Sequence, residues 1–162
     1  MKIYFKNIEK QEELEKSALV ISNSFLTVAN EFNLTRENAP TNGAFIKPDD
    51  LKALLVKGII LIGVFDNEEQ VGFVAIEKSK EKTFYMEKLA VLPEFRHQGI
   101  GEGIMDYVFN FVRSNGGEKV AIGIINENTV LKKWYERYGF KETGIKQFKH
   151  LPFTVCFMEK EV

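Results

Sequence analysis

Residues 93 to 101, Pro-Glu-Phe-Arg-His-Gln-Gly-Ile-Gly, combine types and spacing that suit the binding of a diphosphate. They follow an apolar strand-like run, Phe84 to Leu92, and open a helical one, Ile100 to Val112. A strand, a glycine turn and a helix start expose backbone N–H groups that no helix carbonyl pairs. The helix dipole adds about half a positive charge at the same end, so a diphosphate seated there meets several donors at once. Gly99 and Gly101 let the main chain approach a ligand with no Cβ in the way. Spacing narrows the ligand. A dinucleotide fingerprint needs G-x-G-x-x-G, and Gly103 arrives one residue early. A nucleotide phosphate loop needs Gly-Lys-Ser/Thr, whereas Gly101 is followed by Glu102. What is left is Arg96-x-x-Gly99-x-Gly101, which on its own also fits an ordinary glycine turn or cap.

A second segment, Asn126 to Phe140, adds Asn128, Tyr135, Glu136, Gly139 and Phe140 in fixed spacing. Asn128 suits the cap of a helix, accepting from orphan N–H groups. Tyr135 lies seven residues on, nearly two turns, and so shares its face. Trp134 and Tyr138 read as core or rim.

At these two segments the chain resembles the GCN5-related N-acetyltransferase (GNAT) family. The first matches its Arg/Gln-x-x-Gly-x-Gly/Ala signature. The second matches its Asn-x-x-Ala-x-x-x-Tyr-Glu-x-x-Gly-Phe pattern, with Leu131 in place of the small Ala. The resemblance is strongest from Glu87 to Phe140 and weakest from Met1 to Lys57. It implies a mixed, mostly antiparallel six- to seven-stranded sheet with helices on both faces, splayed between the fourth and fifth strands. It implies acetyl-coenzyme A as donor substrate and no metal. The pantetheine arm would run beside Leu89, Ala90 and Val91, and one of their amides, such as Val91, would polarise the thioester. The pyrophosphate would meet Arg96, His97, Gln98, Gly99, Ile100, Gly101 and Glu102, mostly through main chain, and Asn126, Asn128 and Tyr135 would line the coenzyme. The side chain of Arg96 has two readings, one on nearby backbone and one on the pyrophosphate.

The chemistry has three needs. A lysine-like amine, with a pKa of about 10.4, must lose its proton to attack. The developing oxyanion needs a donor in a dry site. The leaving thiolate gains from a proton, and the family places a tyrosine acid where Tyr135 stands. A phenol titrating at about 10 stays protonated at neutral pH. For the base, strand alternation puts Glu87 on one face with Leu89 and Val91, as a buried general base or an ordinary strand-edge charge. His150, with an imidazole titrating at about 6.5, is a rival that also fits a solvated loop. Lys132 and Lys133 fit a solvated helix face or the adenosine phosphate. A covalent route would need Cys156, which sits in an apolar strand as a buried thiol would. A binding module that senses acyl-coenzyme A would keep the loop and need neither Tyr135 nor Glu87.

The elements that must position these groups follow the order β-α-α-β-β-β-α-β-α-β-β. Met1–Phe5 reads as an edge strand, and Gln11–Phe32 as a helix by its three- and four-residue apolar steps. A long loop spans residues 33 to 47, and Asp49 and Asp50 suit the cap and first turn of a short helix. Ile59–Phe65, Gln70–Glu77 and Thr83–Leu92 read as a meander. A helix over Ile100–Ser114 closes at Asn115-Gly116-Gly117, followed by a strand over Lys119–Ile125 and a helix over Thr129–Tyr138. Phe140–Thr143 and Phe153–Lys160 are the last strands. The loops Arg36–Lys47 and Lys146–Phe153 are the expected acceptor walls. With only Glu37 acidic between them, they argue against a polycationic acceptor.

A chain of 162 residues suggests a single domain over residues 1–162, burying roughly 70% of its unfolded surface. Hydrophobic content of 44% with 14 Phe excludes a disordered chain. A net charge of −1 gives no reason to expect a nucleic-acid partner. The single Cys156 excludes an internal disulfide and suits a reducing compartment. No signal peptide is visible, and the apolar run Gly58–Phe65 is too short for a membrane span. The expectation is a cytoplasmic enzyme with a small-molecule or peptide amine as acceptor, no membrane partner, and a homodimer as an assembly common in the family.

Overall fold

The computed structural model describes residues 1–162. Seven strands form one sheet in the order β1-β2-β3-β4-β5-β7-β6. They are β1 Ile3–Asn7, β2 Ile60–Asp66, β3 Glu69–Lys78, β4 Thr83–Val91, β5 Lys119–Ile125, β6 Lys141–Gln147 and β7 Thr154–Glu161. The helices are α1 Gln11–Glu31, α2 Pro48–Val56, α3 Ile100–Ser114 and α4 Thr129–Arg137. Every neighbouring pair is antiparallel except β4 and β5, as the mixed, splayed sheet of the resemblance requires.

Alternation along β2 divides the core. Ile62 and Val64 face α3, whose Ile104, Met105, Val108 and Val112 are wholly buried at helical spacing. Leu61 faces the other way, with Leu14, Ala18 and Ile21 of α1 and Leu51 of α2. Each such side chain contributes about 1.5–3 kcal/mol on burial. A third cluster joins Ala29, Leu34, Ala39 and Ala44, with Phe153 and Ile125 packed on it. It brings the 33–47 loop against the β6–β7 connection, beyond the end of β5.

Some boundaries differ from the sequence reading. The short helix starts at Pro48, whose fixed φ is pre-organised for a first helical position, and Asp50 accepts from the Lys47 N–H at 2.9 Å. The strand expected to stop at Thr143 runs on to Gln147, because Gly144 to Gln147 continue to pair with β7. The edge strand runs over Ile3–Asn7, set by its register against β2.

Glu13 ties down the start of α1. Its Oε1 accepts from the N–H groups of Lys10 at 2.9 Å and Glu9 at 3.2 Å, and its Oε2 lies 2.7 Å from Lys6 Nζ. The Lys6 contact first, then the Lys10 N–H, pull its pKa from 4.5 down to about 2. A carboxyl depressed on folding stabilises fully above its ordinary range and loses that contribution as pH falls through its folded value. Glu13→Ala should therefore cost about 1 kcal/mol at neutral pH, or roughly 2–4 °C in Tm. Thermal melts across pH should show the gap to wild type closing as pH falls from 4.5 towards 2.

Candidate active site

β4 and β5 pair only where Thr83, Phe84 and Tyr85 meet Lys119, Val120 and Ala121. Beyond that the two strands part, and Met86 to Val91 pair on one side only, with β3. Leu92 donates its N–H to Val71 O at 2.9 Å. By the alternation of an antiparallel ladder, Ala90 also points its N–H at β3 and Val91 points its N–H into the gap.

At the mouth of the gap the chain turns through Pro93–Phe95, then adopts left-handed conformations at His97 (φ 61) and Gly99 (φ 84) before α3 begins. The first helical bond is Gly103 N–H to Gly99 O at 3.0 Å. The N–H groups of His97, Gln98, Gly99, Ile100, Gly101 and Glu102 make no hydrogen bond within the protein's main chain. Six consecutive free donors at the start of a four-turn helix form an anion nest, with the helix dipole behind them. Gly101 lies close under α4: a Cβ there would come within 3.1 Å of the ring of Trp134. That ring walls the loop, with Tyr138 edge-on at 4.9 Å. Tyr138 is pushed up by burial, then by the charges of Glu102 and Asp106.

Tyr135 is buried in the α3 core, edge-on to Trp134 at 5.0 Å and to Phe140 at 5.4 Å. Burial alone raises its pKa, with no charge or hydrogen-bond partner contributing. The phenol is therefore protonated and not engaged elsewhere. Asn128 caps α4, accepting from the Leu131 N–H at 3.2 Å. Asn126 accepts from Lys132 Nζ, which also reaches Glu142 Oε1 at 3.2 Å. Lys132 is thus held by an ion pair rather than standing free on a solvated face.

Glu87 departs from the expected alternation. The register shifts between Phe73 and Ala75, and Lys88 sits at φ 53, so β4 carries a bulge there. The extra residue reverses the parity of the strand. Leu89 and Val91 pack towards α3, while Glu87, opposite Ala75, faces the α1 and α2 side. Glu87 and Tyr135 therefore lie on opposite faces of the sheet. Half-buried Glu87 has its pKa raised, chiefly by desolvation; Lys88 opposes the rise and Glu77 adds to it.

Of the two readings of the Arg96 side chain, the structure shows the one on nearby backbone. Its guanidinium is committed to protein acceptors, namely Val91 O, Thr27 Oγ1 and Ser24 O. The Ser24 and Thr27 contacts, some 70 residues away in sequence, have no signal in the local pattern. His150 lies exposed in the β6–β7 loop against Phe148, at 5.8 Å between ring centroids. Cys156 is wholly buried, its pKa raised first by desolvation and then by Glu142, whose Oε1 its Sγ meets at 3.2 Å. A thiol so placed is a poor nucleophile. No group of three or more His, Cys, Asp or Glu is arranged to hold a metal ion, and no helix is long and apolar enough to cross a membrane. Two shallow surface hollows, of about 380 Å³ between α1 and α2 and about 430 Å³ between α4 and β6, border neither Glu87, Tyr135 nor the 97–102 loop.

The profile of the acetyltransferase (GNAT) domain matches residues 57–142, more than half of the chain. This protein belongs to the GNAT family. The matched span runs from the end of α2 to the start of β6 and so holds the gap, the amide nest and Tyr135. Solved GNAT structures share the fold. The PaiA N-acetyltransferase of Thermoplasma acidophilum, in complex with coenzyme A, is 19% identical with a TM-score of 0.77 over 100% of both chains. The ribosomal-protein-S18-alanine N-acetyltransferase of Escherichia coli is 13% identical with a TM-score of 0.78, over 99% of this chain and 94% of that one. A GNAT acetyltransferase of Elizabethkingia anophelis with acetyl-CoA bound is 21% identical with a TM-score of 0.61, over 70% of this chain and 82% of that one. At these identities the likeness is one of fold.

Proposed function

We propose that residues 1–162 form one acetyl-CoA-dependent N-acetyltransferase domain that moves an acetyl group to a primary amine by direct transfer in a ternary complex. The observation that carries this reading is the run of six unpaired amides, His97 to Glu102, beside the gap where β4 and β5 part. The coenzyme's pyrophosphate takes the nest, and its pantetheine arm lies along the open side of β4. The amine approaches on the α1 and α2 side, between the 33–47 loop and the β6–β7 loop. It attacks the thioester carbonyl carbon, and the Val91 N–H receives the oxyanion. Collapse of that intermediate breaks the C–S bond. Tyr135 gives its proton to the leaving sulfur, and Glu87 takes one from the amine, so amide and free thiol result. Exchange with solvent then returns a proton to Tyr135 and removes the one on Glu87, which resets the site.

Thiol release from acetyl-CoA across a panel of amines tests the reading. Amine-dependent release supports it. Tight coenzyme binding without turnover, unaffected by Tyr135→Phe, would favour an acyl-CoA-binding sensor instead. Glu87 supplies a pH signature. A base must be deprotonated to act, and Glu87 has its pKa raised above 4.5, so the acid limb of kcat/KM should lie above the ordinary glutamate range. Glu87→Gln should lower kcat about 100-fold at neutral pH and remove that limb, with activity recovering as the free-amine fraction rises at high pH. Wild-type activity in Glu87→Gln would assign the base elsewhere.

A further inference from the structure

Arg96 stands one residue before the amide nest, and each of its guanidinium nitrogens already donates to a protein acceptor. Nε donates to Val91 O at 3.2 Å, Nη1 to Thr27 Oγ1 at 3.2 Å and Nη2 to Ser24 O at 2.7 Å. No carboxylate pairs with it. Desolvation lowers its pKa, and the charge of Glu94 is the only opposing influence. A guanidinium held by neutral acceptors in a partly dry site makes charge-assisted bonds that fix geometry on both sides. One side is the end of β4, where Val91 points its N–H into the gap. The other is the C-terminal half of α1.

That part of α1 does not move alone. Ser22 Oγ donates to Ala44 O at 2.7 Å, tying the helix to the loop that follows it. Phe25 packs so closely on Gly43 that a Cβ there would lie 2.8 Å from its ring. Ala29 is buried with Leu34, Ala39 and Ala44, and Phe153 packs on the same cluster. A shift at Ser24 and Thr27 is therefore passed to the 33–47 loop and to the β6–β7 side.

We propose that Arg96 is a positioning residue that couples the two halves of the site. Occupancy of the nest orders residues 97–102, Arg96 holds α1 to that ordered loop, and the acceptor wall is ordered in turn. The inference rests on the nest being the coenzyme site. By linkage, an acceptor that orders the same wall tightens coenzyme binding by the same factor.

Hydrogen exchange of the purified chain, with and without saturating coenzyme A, reads the coupling without knowledge of the acceptor. In wild type, exchange should slow at least about fivefold both in 97–104 and in 24–45. In Arg96→Ala, saturated with coenzyme A, 97–104 should stay protected while 24–45 exchanges at its coenzyme-free rate. Arg96→Lys, with a single point of charge, should restore only part of the effect. Should Arg96→Ala fail to fold by circular dichroism, Thr27→Val and Arg96→Lys carry the test. Weakened protection in 24–45 with 97–104 intact supports the coupling, and wild-type protection in both variants overturns it. Wild-type protection confined to 97–104 also overturns it, while leaving the coenzyme reading in place. No protection of 97–104 in wild type removes the coenzyme reading and the coupling together.

Discussion

Tyr135→Phe should slow kcat about 100-fold or more while leaving coenzyme A affinity within about twofold of wild type. The substitution keeps the ring that packs edge-on against Trp134 and Phe140, so the core around it is preserved. It removes one hydroxyl, and nothing else in the protein uses that hydroxyl. The loss therefore falls on the step in which sulfur leaves. Burial that raises the phenol's pKa keeps it protonated through the working range, so no basic limb from Tyr135 should appear near neutral pH. Steady-state kinetics with a responsive amine, beside calorimetric titration with coenzyme A, separates the two quantities. Equal losses in rate and affinity would make Tyr135 a binding residue rather than an acid.

Gly99→Val should act the other way, on affinity first. Gly99 sits at φ 84, a conformation that costs a residue with a Cβ about 1–2 kcal/mol and is worst for a β-branched one. No atom lies within 4 Å of where the Cβ would go, so the obstacle is the backbone angle and not a clash. The chain relieves the strain by rotating the peptides on either side, which turns the nest amides off the phosphates. Each lost bond to a charged oxygen is worth about 1.5–3 kcal/mol, so the Kd for coenzyme A should rise about 10- to 150-fold per amide. The same titration measures it, with a melt alongside to show that the variant is folded.

How far these features were legible in the sequence depends on how local their causes are. The nest was legible because Gly99 and Gly101 stand between an apolar strand and an apolar-periodic helix, and both signals lie within a few turns of chain. The order of strands and helices was legible for the same reason. The bulge at Lys88 was not. A lysine at φ 53 carries no compositional mark, yet it decides which face Glu87 occupies. Arg96 could be read as important but not placed, because its partners Ser24 and Thr27 are fixed by how α1 crosses the end of β4. The full length of β6 is not legible locally, because Gly144 looks like a turn in isolation and pairs with Phe157 only once β7 is alongside. The meeting of the 33–47 loop with Phe153 is likewise a product of tertiary packing between segments that share no pattern.

Calorimetric titration of coenzyme A into the purified chain tests the central claim most directly. The account predicts saturable binding at one site per chain, weakened at least tenfold by Gly99→Val and unchanged by Tyr135→Phe. Absence of heat and of saturation in the folded wild type, or equal affinity in Gly99→Val, would contradict it.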